Sequence, residues 1–286
     1  MIQDIYPHQF FNTFKKVSAN NNDRLCIIYE DKILIEKKDN NEIQIPQAEM
    51  FPEFENLNFT FLFRMDNENY FLKILNKEEF FKLESKKFKE LTFEERRFFR
   101  HANPKYVSFA AINALQLNAW YLKNVFCGKC GKRTIHDSEE RMIKCPDCGN
   151  MIYPKISPAV IVGITNKDSI LLTKYNHGPT ANYALVAGFN EFGETLEETV
   201  QREVFEEVGL KVKNISYYKS QPWAFTETLL AGFFCEVEGE TAITLETEEL
   251  SFGKWFKRNE IPVKPNDLSL TNEMIIYFSE NKIFSE

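Results

Sequence analysis

Nowhere in its 286 residues does this chain string together the roughly eighteen apolar residues that a membrane-crossing helix needs. Its opening, MIQDIYPHQF, lacks the cationic stretch and apolar core of a secretory leader. A positive excess is missing too. With 35 Lys and Arg against 42 Asp and Glu, the formal charge is −7. That balance argues against a surface that tracks nucleic-acid phosphates along its whole length, and leaves only a local basic pocket open. There is no internal repeat and no low-complexity segment. These absences predict a soluble, cytoplasmic protein.

Six cysteines are present, but four of them fall as two CxxC pairs, which in a reducing compartment read as metal ligands and not as disulfides. Cys26 and Cys235 stand alone in apolar stretches and read as small buried hydrophobes. A hydrophobic content of 43%, with 27 Phe, excludes disorder. The length alone suggests about two domains.

Composition divides the chain further. Residues 1–105 read as a β-rich N-terminal domain, with strand-like pieces at 24–30, 32–38, 41–46 and 59–65 between Asn- and Asp-rich turns. Mixed helical signals follow at 72–88, Thr92 and Glu95 have the spacing of a capping box, and a linking helix is predicted over 106–126 after Pro104. Residues 127–153 form a loop-rich module. From 154 to 286, apolar strands at 156–165, 169–175, 183–189, 212–220, 228–238 and 254–258 surround a helix at 195–208, and a last helix lies near 270–279. The fold class predicted is α+β.

Cys127-x2-Cys130 and Cys145-x2-Cys148 each run into Gly, as CGKCG and CPDCG. Glycine lets each knuckle turn so that two thiolates face one ion, and two knuckles supply the four sulfurs that a tetrahedral zinc accepts. Four protein ligands leave no open position, so the role predicted is structural. His136, between the pairs, reads as a loop residue. The connecting segment, KRTIHDSEERMIK, mixes both signs and lacks an aromatic series for stacking bases.

The densest signal is GFNEFGETLEETVQREVFEEVGL, residues 188–210. Thr195 with Glu198 makes a capping box and Gly209 a stop. At about 100° per residue, Leu196, Val200, Val204 and Val208 form a buried stripe, and Glu203, Glu206 and Glu207 share an arc at its edge. Carboxylates so placed are partly desolvated and repel one another, which a dication relieves. Arg202, one turn before Glu206, holds one of them but cannot neutralise three. Hard oxygen ligands select Mg2+ or Mn2+.

The pattern Gly188-x5-Glu194-x7-Arg202-Glu203-Val204-x-Glu206-Glu207-x-Gly209-Leu210 resembles the Nudix box in full. The resemblance implies the α/β/α Nudix sandwich and hydrolysis of a nucleoside diphosphate linked to another group. SQPWAFTETLL, residues 220–230, is similar to the SQPWPFPxS motif of the NADH pyrophosphatase subfamily, and a zinc ribbon before the hydrolase domain is similar to that subfamily too. Residues 127–286 resemble it closely, and those before them only by arrangement.

The resemblance implies Glu203, Glu206 and Glu207 as holders of two or three Mg2+ or Mn2+ ions, with the Ala187 carbonyl and Glu249 completing the cluster. Glu246 and Glu248 are close rivals of Glu249. Glu203 and Glu249 both qualify as the base that takes a proton from water. Substrate contacts are expected from Gln221, Pro222, Trp223, Ala224, Phe225, Thr226, Glu227 and Thr228, from Phe189, and from Tyr153 and Glu140 near the ribbon. Ala224 and Thr226 replace two prolines of the motif and Thr228 its serine, so a looser loop is expected. The reaction implied splits NADH or NAD+ into nicotinamide mononucleotide and AMP, with NAD-capped RNA as a further substrate and a homodimer as the assembly. ADP-ribose and dinucleoside polyphosphates are alternative substrates, and a non-catalytic Nudix-like regulator is the alternative of another class.

Overall fold

In a computed structural model, which describes residues 1–38, 42–54, 59–86, 90–176 and 183–280, the chain forms two compact units. One holds residues 2–155, the other Met1 and residues 156–286.

Seven strands build the sheet of the first unit: β1 (Phe10–Phe11), β2 (Arg24–Tyr29), β3 (Lys32–Lys37), β4 (Ile43–Gln44), β5 (Thr60–Met65), β6 (Glu68–Ile74) and β7 (Leu91–Glu95). Their order is β1-β5-β6-β2-β3-β4, with β7 also paired to β3. Helix α1 (Lys77–Ser85) begins at a capping box of Asn76 and Glu79. Helix α2 (Lys105–Lys123) starts directly after Pro104, whose missing N–H costs a helix nothing at its first turn.

Two sequence expectations need correction here. Residues 72–74, within the predicted mixed helical stretch, belong to β6, and helix α1 covers only 77–85; residues 87–88 lie outside the described ones, as does Asn41 at the head of a predicted strand. The pair Thr92 and Glu95 caps no helix, because 91–95 is strand β7 with Phe93 opposite Leu34 and Thr92 opposite Ile35. Phe93 and Leu91 pack against a core that contains Leu34 and Phe51. A capping box is worth about 1 kcal/mol, and burying two large apolar side chains outweighs it.

The module after α2 is a small antiparallel sheet of β8 (Ile135–His136), β9 (Ile143–Lys144) and β10 (Met151–Ile152). His136 lies on β8, not in a loop, and its ring stacks on Tyr121 of α2 at 4.5 Å. Arg141 donates to the carbonyls of Leu62 and Asn12, so one guanidinium ties this module to the large sheet of the same unit.

In the second unit β11 (Ser157–Asn166), β12 (Ser169–Tyr175), β13 (Val186–Phe189), β14 (Lys211–Trp223), β15 (Thr228–Glu238) and β16 (Leu250–Lys257) form one sheet in the order β14-β15-β11-β12-β16, with β13 beside the first half of β11. Only β11 and β15 run parallel. Helices α3 (Leu196–Val208) and α4 (Leu270–Glu280) cover opposite faces. Val160, Val162, Ile164 and Phe233 pack with Val200, Val204 and Val208 of α3, while Ile161, Leu172 and Phe234 pack with Leu270, Met274 and Phe278 of α4. Strands buried on both faces read as unbroken apolar runs, as 159–164 does. The predicted α/β/α sandwich is present, so the fold is α+β, with the β-rich sheet and the ribbon preceding it.

One buried amide locks α4 in place. Gln221 has no exposed surface; its Nε2 donates to the Leu268 carbonyl at 3.0 Å and its Oε1 accepts from the Leu270 N–H at 2.7 Å. Replacing it by Ala strands two backbone groups, each costing about 1–3 kcal/mol. Gln221→Ala is therefore expected to lower stability by about 2–4 kcal/mol, read from urea unfolding.

Candidate functional site

Thr195 accepts from the Glu198 N–H and Glu198 reaches back to the Thr195 N–H at 2.7 Å, so α3 starts where its capping box places it. Gly209, at φ 69°, ends it in the left-handed region that glycine enters without strain. Between these ends the helical period sorts the acids. Glu207 falls beside the Val204–Val208 stripe and is 2% exposed, Glu203 borders it, and Glu206 leans out with its side chain 57% exposed.

Neither carboxylate oxygen of Glu207 has a hydrogen-bond partner among the described residues. Burial, then the charges of Glu203 and Glu249, push its pKa up to about 8. The Ala187 N–H opposes this from outside hydrogen-bonding geometry. The Glu203 carboxyl is also raised, chiefly by burial, with Arg202 working against the rise and Glu206 and Glu249 adding to it. Glu249 is the member of the 246–249 group whose charge reaches both; Glu246 instead accepts from the Glu248 N–H at 3.0 Å. Tyr175, at the end of β12, has its phenol raised first by desolvation and then by the charges of Glu207, Glu249 and Glu203, although the residue keeps 40% of its surface exposed.

Arg202 organises the periphery. Its Nε and Nη2 grip both oxygens of Glu194 at 2.6 and 3.0 Å, Nη1 reaches Glu203 at 2.8 Å and Glu206 at 2.9 Å, and Nη2 donates to the Phe189 carbonyl at 2.9 Å. This fork holds the Glu194 carboxyl down to about 2 and raises the guanidinium. The turn before α3, the helix and the end of β13 are thus tied at one point. Gly188 makes the approach possible: a Cβ there would lie 1.9 Å from Cδ of Glu203, inside its carboxylate.

The hairpin joining β14 to β15 carries most of the other candidates. Ala159 of β11 pairs with Phe189 on one side and Leu230 on the other, so the end of β13 and the base of the hairpin flank the same end of the sheet. Trp223 and Phe225 lie against each other, centroids 4.6 Å apart at 47°. Pro222 and Thr226 are exposed, Glu227 is half-buried at φ 59°, and Ala224 and Thr228 are buried. Gln221 faces inward. The loosening expected from the missing prolines is countered at the tip: the Thr226 N–H donates to the Trp223 carbonyl at 3.2 Å, and the Thr226 and Thr228 hydroxyls bond at 2.6 Å.

In the unit of residues 2–155, the Tyr153 hydroxyl donates to Glu140 at 3.0 Å, joining two predicted contacts. Cys127, Cys130, Cys145 and Cys148 present four sulfurs all within 4.8 Å, with 3.7 Å between Cys127 and Cys148 and 3.5 Å between Cys130 and Cys145. A tetrahedron with metal–sulfur bonds of about 2.3 Å has edges of about 3.8 Å. The Lys129 and Cys130 N–H groups pull the Cys127 thiol down to about 6, toward the thiolate that binds metal.

Residues 155–275 match the family model of the NUDIX domain, and residues 122–153 that of the NADH pyrophosphatase zinc ribbon domain. This chain carries a Nudix domain behind an NADH pyrophosphatase zinc ribbon. It is 42% identical over 154 residues to the NAD-capped RNA hydrolase NudC of Mannheimia succiniciproducens, covering 51% of this chain and 57% of that protein. The protein of the same name from Haemophilus influenzae is 38% identical over 166 residues, covering 56% and 62%. The chain therefore spans about three fifths of the length of the curated relatives it matches. A crystal structure of a NUDIX hydrolase from Nitrosomonas europaea superposes with a TM-score of 0.47 at 23% identity, over 54% of this chain and 90% of that one.

A Nudix domain implies a divalent cation, and the donor set fits one. Glu207 is an orphaned buried carboxyl with Glu203 and Glu249 close enough to repel it, a combination that a hard cation satisfies and that nothing else among the described residues does. The ribbon fits a structural zinc by sulfur geometry alone.

Several participants in the Nudix domain escaped the sequence reading. Glu194 had a place in the motif but no task, though a carboxylate eight residues before Arg202, at the turn that starts the helix, could have suggested the pair. Tyr175 and the space at Gly188 left no local signal, since both depend on where the fold sets the α3 carboxylates: Glu203 over Gly188, and Glu203 and Glu207 with Glu249 around Tyr175.

Two outcomes are expected. Gly188→Ala should displace the Glu203 carboxylate by an ångström or more and lower turnover about a hundredfold, with the unfolding midpoint checked to separate this from loss of fold. Cys145→Ser should cost the chain its zinc, measured by elemental analysis, and open residues 122–153 to protease, because binding on the order of 10 kcal/mol supports that module's folding.

Proposed function

We propose that this chain hydrolyses the pyrophosphate bridge of NADH or NAD+, releasing nicotinamide mononucleotide and AMP, and cuts the same bond at the NAD-capped 5′ end of RNA. The observation that carries the proposal is the buried carboxyl of Glu207, unpaired and pressed by Glu203 and Glu249. An anionic substrate cannot approach such a cluster without divalent cations. When bound, two or three Mg2+ or Mn2+ ions would draw charge from the phosphoryl oxygens and acidify a water.

Glu203, Glu206, Glu207, Glu249 and the Ala187 carbonyl would hold the ions. Arg202 keeps Glu203 and Glu206 aimed and takes no direct part in the chemistry. Water oxygen attacks phosphorus, its proton passes to Glu203 or Glu249, and the bond to the bridging oxygen breaks with its electron pair leaving on the departing phosphate. Trp223 and Phe225 offer flat faces to a nicotinamide or adenine ring. Phe189, Pro222 and Glu227 edge the same end of the sheet, Tyr153 and Glu140 act as a bonded pair, and Gln221, Ala224, Thr226 and Thr228 hold the hairpin's shape.

The name shared by the curated relatives supports NAD-capped RNA as a substrate. Free dinucleotide and capped RNA present the same bond, and the reducing compartment implied by four cysteines unpaired in disulfides is the cytoplasm, where both would be met. A homodimer is the assembly carried over from the resembling family. The regulator reading expects a depleted acidic box, whereas Glu203, Glu206 and Glu207 are all present.

The test is Mg2+-dependent release of AMP from NADH, followed by chromatography. Glu203→Gln and Glu207→Gln are each expected to lower it by at least about a hundredfold, the scale of several kcal/mol of charge stabilisation. Undiminished cleavage in either variant would overturn the proposal, and faster cleavage of ADP-ribose than of NADH would replace the substrate while keeping the chemistry.

A further inference from the structure

Glu249 lies on a short turn whose front and rear are fastened to different parts of the Nudix domain. At the front, the Thr244 N–H donates to the Val208 carbonyl at 3.0 Å and the Glu246 N–H to the Glu207 carbonyl at 2.9 Å. These bonds seat the segment on the C-terminal end of α3. Within the turn, the Glu246 carbonyl accepts from the Glu249 N–H at 3.3 Å and the Leu250 N–H at 2.9 Å. Every bond so far is between backbone groups.

The rear is held from β12. Asn176, the first residue after that strand, donates its backbone N–H to the Glu249 carbonyl at 2.8 Å and its side-chain amide to the Thr247 carbonyl. One residue thus bonds the turn twice, at the residue that bears the carboxylate and two positions before it. The register explains why the hold is needed. Tyr175 pairs with Leu250 while Lys174 pairs with Phe252, so the ladder slips by one residue at Ser251, just after Glu249. A slip leaves one residue out of the ladder and disrupts it locally, and the Ser251 hydroxyl, bonded to the carbonyls of Lys174 and Tyr175, fastens the strand side of the slip.

We propose that Asn176 is a positioning residue for the Glu249 carboxylate, and through it for the divalent cation that Glu249 would hold. The proposal rests on the reading of Glu249 as a cation ligand given above. Asn176 is exposed and its hydrogen bonds among the described residues go to Glu249 and Thr247, not to Glu203, Glu206 or Glu207, so its effect passes through the turn. Partners that orient a ligand from outside its first contact shell typically change metal affinity by about 10- to 100-fold.

Mn2+ binding, followed by the electron paramagnetic resonance of the free ion, tests this without requiring turnover. Asn176→Ala is expected to raise the Mn2+ concentration at half-saturation about tenfold, and to lower kcat/KM for NADH at limiting Mn2+ with recovery at saturating Mn2+. Glu249→Gln should do at least as much. In the double variant, Asn176→Ala should add less than about a twofold change, since residues acting through one another do not add. Mn2+ binding by Asn176→Ala equal to the wild type, with or without a lowered unfolding midpoint, would overturn the proposal, as would a defect that adds in full to that of Glu249→Gln. If Glu249→Gln itself binds Mn2+ normally, this proposal falls together with the place of Glu249 in the cation site. If the wild type binds Mn2+ but leaves NADH intact, the substrate reading falls and the role of Asn176 stands on its Mn2+ readout.

Discussion

A carboxyl group buried without a hydrogen-bond partner among the described residues, and facing two further carboxyls, is the constraint around which the Nudix domain is arranged. Taking an ionised carboxylate out of water costs several kcal/mol even after relaxation, and a second negative charge nearby adds to the cost. Glu207 stands in that position because its helical angle puts it beside Val204 and Val208. The helix cannot bury those valines without drawing Glu207 inward as well. The ionised cluster thus carries a local destabilisation that a cation relieves, and binding to the folded state would return that free energy as stability.

Around this centre, positive charge is rationed with care. Arg202 spends its five N–H groups on Glu194, Glu203, Glu206 and the Phe189 carbonyl, and none on Glu207. A second guanidinium at Glu207 would satisfy the carboxyl and remove the reason for a cation to bind. Glu194, outside the cluster, takes the strongest grip, so Arg202 serves mainly to pin the turn before α3 against β13. Gly188 completes the geometry by leaving room where any side chain would collide with Glu203.

The hairpin shows how one mechanical result is reached by different chemistry. Proline rings stiffen a loop by limiting the unbound chain, whereas here Thr226 supplies an N–H that proline lacks and a hydroxyl that Thr228 shares. Gln221, two residues before Trp223, anchors the hairpin's base to the start of α4 from inside the protein. The packed Trp223 and Phe225 rings are therefore held from both the tip and the base.

Much of this was open to reading from the chain itself, for a definite reason. The acidic edge of α3, its cap and its stop depend on residues within two turns of one another, and the four cysteines meet because each knuckle is local and glycine lets it turn. Short-range geometry of that kind is written in spacing. Spacing failed where a partner came from elsewhere: Thr92 and Glu95 imitate a helix start, but β3 lies ready to pair and Phe93 has a core to enter. Likewise, nothing local separates Glu249 from Glu246 and Glu248, or turns Gln221 inward, or sets Asn176 against a turn some seventy residues ahead of it in the chain. Sheet register and helix docking made those choices, since they alone bring together backbone groups that the sequence keeps far apart.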